Sequence, residues 1–374
     1  MSDRFTVVFA GGGTGGHLYP AIAIAQALGK HATVAFIGTA DRLESRIVPK
    51  AGYPLDTVRS RPLTRGFNLG LIATVFANAV GVLQAMHVLA RRKPDILIAT
   101  GGYVCFPVVL AARILRALGR FYAPIALLEP NAQPGLTNRM LAPLVDEVWG
   151  AFGPADSRFA GKYVHTGVPV RASLRDLPSR EKAIERLGLS PKRRTLFAMG
   201  GSQGARSIND ALSSLLLSDG LPEGWQLFHV TGEKEFALRT AQRNTCEGDR
   251  WIVRPYLDDL SDAYAAADLV LARAGASTLG ELAATRRPAI LVPYPYAADD
   301  HQYANAAELA KTGAAILIDD RQLNAGKLPG VLAGATQPSR LAELQARAKG
   351  GPDADPVTTI LARVELLRMR KKRT

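Results

Sequence analysis

Phe5-Thr-Val-Val-Phe-Ala10 reads as a short buried strand, Gly11-Gly-Gly-Thr-Gly-Gly16-His17 as the loop that follows it, and Ala21–Leu28 as the apolar face of the next helix. Strand, glycine loop and helix in that order open a βαβ unit. Thr33–Gly38, Asp95–Ala99 and Ile125–Leu128 continue the alternation, which starts afresh at Thr195–Met199 and runs through Gln226–Val230, Asp268–Ala272, Ala289–Val292 and Ala314–Ile318. Short apolar runs separated by helical patterns predict parallel sheets covered on both faces. Thr166-Gly-Val-Pro-Val-Arg171 reads as a linker between the two series. The expected fold is α/β: two doubly wound domains, facing each other across a deep cleft, in a chain of 374 residues.

Composition narrows the class. The chain is 47% hydrophobic and 21% charged, with a mean hydropathy of +0.04, which excludes a disordered chain and a polytopic membrane protein. Two cysteines, Cys105 and Cys246, are too few for a disulfide framework or a zinc site. Asp3 and Arg4 lead straight into the first strand, so no secretory h-region is expected and a reducing cytoplasm is the default. The net charge is +13, and ten basic against two acidic residues between Lys50 and Pro124 carry +8 of it. Such a surplus suits nucleic acid, anionic lipid or phosphorylated ligands. No interleaving of arginine with aromatics accompanies it, so nucleic acid is not expected as a partner. Gly66–Ala90 is 25 residues without a formal charge, long enough to span a bilayer. Asn68, Asn78, Gln84 and His87 interrupt it, and a helix lying on the domain with one apolar side at the surface fits better.

The glycine loops carry the chemistry. Gly11, Gly13 and Gly16 fit G-x-G-x-x-G, but the acid a dinucleotide fold places at the end of its second strand is missing: Phe36-Ile-Gly-Thr39 is followed by nothing acidic before Asp41. A phosphate-binding Walker loop would need Lys and Ser/Thr where His17 and Leu18 stand. Thr100-Gly-Gly-Tyr-Val104 and Met199-Gly-Gly-Ser-Gln-Gly-Ala205 also follow strands. Together the three loops suggest a diphosphate held at strand C-terminal ends. Arg273-Ala-Gly-Ala-Ser-Thr-Leu-Gly-Glu281 joins strand to helix again. Thr278-x-x-Glu281 reads equally as a capping box or as Glu281 accepting from ribose hydroxyls. His301-Gln302 and Asn305 open the helix after Pro293-Tyr-Pro-Tyr296 and could read sugar hydroxyls.

The loops GGGTGGH, GGYVCFP, NAQPGLTNR, TGVPVR, GGSQGA, ARAGASTLGE and HQYANA, in this order over roughly residues 5–318, resemble those of the MurG-type bacterial enzymes. These are UDP-N-acetylglucosamine:undecaprenyl-pyrophosphoryl-N-acetylmuramoyl-pentapeptide N-acetylglucosaminyltransferases. The chain departs from the family pattern at Leu128-Glu-Pro-Asn131 and at Val168. The resemblance implies a GT-B fold and an inverting transfer, without metal or cofactor, from UDP-N-acetylglucosamine to the C4 hydroxyl of the muramoyl sugar of lipid I, giving lipid II. It implies an acceptor and membrane-facing domain at 1–166, with a C-terminal helix at about 354–374 packing back on it, and a UDP-sugar domain at 167–353. For the donor it points to Arg171 and Ser202 near the diphosphate, backbone around Leu257 at uracil, Ala276, Ser277, Thr278, Leu279, Gly280 and Glu281 at the diphosphate and ribose, and Gln302 at the sugar. Thr14, Gly15, Gly16 and Asn131 would close over the reacting end. It also implies a peripheral position at the cytoplasmic face of the bacterial inner membrane, on anionic lipid.

His17 is the candidate general base, because a helix N-terminus disfavours the imidazolium and keeps the ring able to accept a proton. Glu129 is the lesser candidate and Asp41 a third. The only D-x-D of the kind metal-dependent sugar transferases use, Asp353-Ala-Asp355, sits in a Gly/Pro-flanked stretch and reads as surface. Competing readings are a glycolipid synthase of the same fold acting on diacylglycerol, a UDP-N-acetylglucosamine epimerase, a silent nucleotide-sugar-binding subunit and a basic nucleic-acid binder.

Overall fold

The structure, a computed structural model, describes residues 4–62, 69–153, 156–201, 204–218, 220–246, 248–324, 326–351 and 354–371. The chain divides into two compact units, one formed by Met1–Arg171 with Ala354–Thr374 and the other by Ala172–Asp353.

The first unit is a seven-stranded parallel sheet built from β1 (Phe5–Ala10), β2 (Ala32–Gly38), β3 (Leu55–Thr57), β4 (Ile96–Ala99), β5 (Ile125–Glu129), β6 (Glu147–Gly150) and β7 (Tyr163–His165), in the order 3-2-1-4-5-6-7. Side chains alternate across β1 with period two. Val8 and Ala10 join a core with the helices Leu69–Arg92 and Cys105–Ala117. Val7 and Phe9 join an opposite core with Gly15–Leu28 and Pro356–Lys371. Covering both faces is what makes these strands continuous apolar runs.

Pro356–Lys371 seals its face with Ile360, Val364 and Leu367. Asp355 caps it, Oδ2 accepting from Thr358 N at 3.1 Å and from Thr358 Oγ1 at 2.8 Å. Arg363 closes an ion pair on the buried Glu147, whose Oε2 also accepts from Trp149 Nε1 at 2.9 Å. Arg368 stacks 3.5 Å above the Phe5 ring. Asp355 of the D-x-D sequence is thus engaged in starting a helix, while Asp353 lies outside the described residues.

The helix Leu69–Arg92 has a stretch, Ile72–Arg92, long and apolar enough to cross a membrane, yet 39% of its most apolar window is buried in the protein. Thr74, Asn78, Val82, Ala85, Val88 and Leu89 face inward. Asn78 Oδ1 accepts from Ser60 Oγ at 2.9 Å and Gln84 Oε1 from Arg59 N at 2.7 Å, so polar bonds tie it down along its length. Ile72, Val75, Phe76 and Leu83 are each more than half exposed. From Leu69 onward the uncharged segment is therefore a surface helix with an apolar outer side, as Asn78, Gln84 and His87 predict; Gly66 to Asn68 lie outside the described residues.

The second unit is a six-stranded parallel sheet of β8 (Arg194–Met199), β9 (Trp225–Val230), β10 (Trp251–Arg254), β11 (Leu269–Ala272), β12 (Ala289–Leu291) and β13 (Ala315–Leu317), in the order 10-9-8-11-12-13. Leu196 and Ala198 share a core with the helices Arg206–Leu217 and Pro338–Lys349. On the other face the Phe197 ring meets Phe228 at 6.1 Å and Tyr264, edge-on, at 5.3 Å.

Candidate active site

In both sheets the strand order reverses once, between β1 and β4 in the first unit and between β8 and β11 in the second. At such a point successive crossovers leave on opposite faces and open a crevice beyond the strand C-termini. The four glycine-containing junctions leave from these four strands. Composition alone made them three loops and a fourth; topology makes them two pairs.

In the first unit, His17 lies in the first turn of the helix Gly15–Leu28, after Thr14, whose carbonyl is 3.3 Å from both His17 N and Leu18 N. Gly15 and Gly16 begin this helix, where first-turn amides have no intrahelical acceptor. The imidazole Nδ1 faces the Thr100 carbonyl at 3.0 Å. A carbonyl only accepts, so Nδ1 carries the proton and the ring's basic lone pair is on Nε2. The loop after β4 makes room for the ring: Gly101 and Gly102 have φ of 103° and 84°, and a Cβ on Gly101 would stand 2.4 Å from Nδ1.

Glu129 ends β5 and is 3% exposed. Oε1 accepts from Asn131 N at 3.0 Å and Asn131 Nδ2 at 3.1 Å, and Oε2 from Gly135 N at 3.1 Å and Asn138 Nδ2 at 2.8 Å. Burial pushes its pKa up against these bonds. The carboxylate is engaged in shaping the loop that presents Asn131. Asp41 is exposed, 3.9 Å from Arg42. Arg171, the last residue of this unit, stacks its guanidinium 5.4 Å from the centre of the Tyr19 ring.

In the second unit, the helix Ala276–Thr285 starts after Gly275, with no side-chain cap. Thr278 is therefore inside the first turn rather than at the cap, and the capping-box reading of Thr278 and Glu281 fails. Glu281 Oε2 instead accepts from Tyr264 Oη at 2.9 Å, which fixes the carboxylate from the aromatic core below. Ala276, Ser277 and Thr278 supply first-turn amides, and Leu279 and Gly280 are buried behind them. Ser277 Oγ is buried with no hydrogen-bond partner among the described residues. Gln302 Oε1 accepts from Tyr294 N at 3.0 Å. Asn305, fully buried, donates to the Ala274 carbonyl at 3.1 Å, so it braces the junction. His301 Nδ1 is 2.7 Å from the Ala298 carbonyl. Leu257 is half-buried in the loop after β10, and Ser202 lies outside the described residues.

Sequence reasoning missed three residues that support these side chains. Tyr264 gives no motif signal. Arg273 Nη1 donates to Asp320 at 2.6 Å and to the Val292 and Pro293 carbonyls, and Nη2 donates to Ser207 at 2.8 Å, tying the β11 and β12 junctions together. Glu44 reaches the first glycine loop from the helix Glu44–Lys50. Among the described residues no three His, Cys, Asp or Glu side chains come together as a metal-ligand set.

The glycosyltransferase family 28 N-terminal domain matches residues 7–149, and the family 28 C-terminal domain matches residues 195–358. A protein of Chlorobium limicola, named UDP-N-acetylglucosamine--N-acetylmuramyl-(pentapeptide) pyrophosphoryl-undecaprenol N-acetylglucosamine transferase, is 43% identical over 333 residues, 85% of this chain and 87% of that one. One of Halothermothrix orenii with the same name is 39% identical over 332 residues, 86% and 88% of the two chains. The crystal structure of Acinetobacter baumannii MurG superposes with a TM-score of 0.72 at 27% identity, covering 96% of this chain and 99% of that one. Two Rossmann-like parallel-sheet units of this kind compose the GT-B class. Similarity of this extent, over both units and in one order, means that the chain belongs to the MurG-type family of N-acetylglucosaminyltransferases within glycosyltransferase family 28.

Proposed function

We propose that this protein transfers N-acetylglucosamine from UDP-N-acetylglucosamine to lipid I, the undecaprenyl-pyrophosphoryl-N-acetylmuramoyl-pentapeptide, and so forms lipid II for peptidoglycan synthesis. The observation that carries the reading is about 40% identity across most of the chain to relatives that bear this one name. The transfer inverts the anomeric centre: the C4 hydroxyl attacks as UDP leaves, giving a β1→4 linkage. His17 takes the hydroxyl proton on Nε2, a role supported by the proton its Nδ1 directs at Thr100. The leaving diphosphate is met by the first-turn amides of Ala276–Thr285 and by Ser277, and the family resemblance assigns Ser202 and Arg171 to the same group. Glu281 grips the ribose, the backbone at Leu257 reads uracil and Gln302 reads the sugar. Thr14, Gly15, Gly16 and Asn131 hold the acceptor end.

The decisive assay follows labelled sugar from UDP-N-acetylglucosamine into butanol-extractable lipid. Label should enter only when lipid I is present. Label entering diacylglycerol instead would establish the glycolipid synthase, and conversion of the sugar to its epimer would establish the epimerase.

The protein acts as a peripheral enzyme on the cytoplasmic leaflet. The exposed Ile72, Val75, Phe76 and Leu83 supply an apolar contact. Basic residues between Lys50 and Arg120 supply attraction to anionic lipid, each worth about 1 kcal/mol. Arg91 and Arg92 close on Asp56 and Arg116 on Asp146, so part of this charge is spent internally. Anionic vesicles should retain the protein at low salt and release much of it at high salt. Equal binding to neutral vesicles at every salt concentration would remove the electrostatic part.

A further inference from the structure

Glu44 belongs to no glycine loop and no strand end, yet its side chain is 1% exposed and bonded to two junctions. Oε2 accepts from Gly13 N at 2.9 Å. Oε1 accepts from Thr39 N at 2.9 Å and from Thr39 Oγ1 at 2.7 Å. Taking a carboxylate out of water is costly unless donors of this kind replace the water. The chain has also cleared space for it. A Cβ on Gly12 would lie 2.4–2.8 Å from the carboxyl atoms, and one on Gly38 would lie 2.6 Å from Cγ. Neither glycine has positive φ, so both are small to admit this side chain rather than to permit an unusual backbone.

In a nucleotide-binding glycine loop the amides face a phosphate. Here the Gly13 amide is taken by the protein's own anion. We infer that Glu44 is a positioning residue for His17, an internal ligand that holds the glycine loop in one shape. Fixing Gly12 and Gly13 fixes Thr14, and the Thr14 carbonyl accepts the first bonds of the helix that carries His17. The ring has little freedom to adapt, because it occupies the space a side chain at Gly101 would need and Nδ1 must keep the Thr100 carbonyl. A shift of the loop by a fraction of an ångström moves Nε2 relative to the acceptor hydroxyl. The inference rests on the transferase reading and on His17 as its base, and it predicts an effect on turnover without one on the nucleotide.

The test is a cycle between Gly12→Ala and Glu44→Ala, with Glu44→Gln beside it. Misplaced groups of this kind cost on the order of tenfold to a hundredfold, so kcat should fall by that factor in Glu44→Gln and in Gly12→Ala, while calorimetric UDP affinity stays within about twofold. In the double variant the added methyl enters space the carboxylate has left, so it should be no slower than Glu44→Ala alone. Thr39→Val removes one donor to Oε1, keeps the Thr39 N bond and spares the Gly13 bond that shapes the loop, so kcat should stay within about threefold of the parent. Additive losses in the cycle, unchanged kcat in folded Glu44→Gln, or UDP affinity falling in step with kcat would each overturn the inference. Should Glu44→Gln not fold, Gly12→Ala, which keeps the buried carboxylate, decides alone. The His17 ring resonances give a readout independent of turnover. They should move in Gly12→Ala, and unmoved resonances would refute the positioning role even if the parent protein proved to transfer no sugar, the result that would refute the transferase reading itself.

Discussion

The two switch points are built from the same parts and finished differently. Beyond β1, the Gly13 amide is bonded to Glu44 and the His17 ring to Thr100, so the junction holds its polar groups against its own chain. Both helices begin without a side-chain cap, but beyond β11 it is a hydroxyl, Ser277 Oγ, that is buried without a partner among the described residues. A junction satisfied from within is stiff and suits a group that must sit at one point. A junction that leaves donors unspent suits an anion that supplies the missing bonds itself. Glycine-rich strand-to-helix turns are therefore not one kind of site, and the difference lies in what else reaches them.

The largest expected effect breaks the first junction. His17→Ala should lower kcat by ~10²–10⁴-fold, the range for a general base, with UDP affinity nearly unchanged. A fall of less than tenfold would make His17 a positioning group and bring Glu129 forward as the base. Breaking the second junction should do the reverse. Glu281→Ala should weaken UDP binding by about 1.5–3 kcal/mol, the scale of charge-assisted hydrogen bonds, and calorimetric titration of the folded variant checks it. Intact affinity would mean that Glu281 does not grip the ribose.

A third prediction sharpens the contrast with a histidine of the second unit. His229 is fully buried; Nε2 donates to Asn209 Oδ1 at 2.9 Å and Nδ1 accepts from Trp251 Nε1 at 3.4 Å. Burial, with help from the charge on Arg239, pushes its pKa down to about 3 from 6.5. The unfolded chain binds this proton first, so the contribution is complete above pH 6.5 and is lost as pH falls toward 3, by up to ~1.4 kcal/mol per pH unit. Denaturant titrations at pH 7.5, 5.5 and 4.5 should show this slope, and His229→Gln should remove its share. The smallest effect is at Ser277. Ser277→Ala should stabilise the free protein by about 1 kcal/mol, because an unsatisfied buried hydroxyl is removed, while weakening UDP binding a few-fold. Both changes in the same direction would mean the hydroxyl has no ligand role.

The sequence carried the parts of the fold that are buried on both faces. Phe5–Ala10, Ile125–Leu128 and Thr195–Met199 are continuous apolar runs, and β1, β5 and β8 stand where those runs are. It missed β3 and β7, three-residue edge strands that are half exposed and so have no such run. It missed β6 for another reason: Glu147 interrupts the apolar pattern, and the residue that neutralises it, Arg363, is 216 positions away. The missing β10, Trp251–Arg254, is a short edge strand ending in an exposed arginine. At the site the glycine loops were legible because backbone geometry writes itself into residue type. Glu44, Tyr264 and Arg273 were not, because each acts through a partner brought close only by folding. The acid sought at the end of the second strand does arrive at that strand, six residues later and from a helix, and it faces the protein's own amides rather than a ribose.

The helix Pro356–Lys371 gives this chain an unusual order of completion. Its residues leave the ribosome after the whole of Ala172–Asp353, yet they cover the face of the first sheet where Val7, Phe9 and Ile98 lie. During synthesis that apolar face is covered by the helix Gly15–Leu28 but lacks Ile360, Val364 and Leu367 while the second unit is made and folds. The unit begun first is finished last, and the junction carrying His17 gains the full support of its sheet only when the last helix docks.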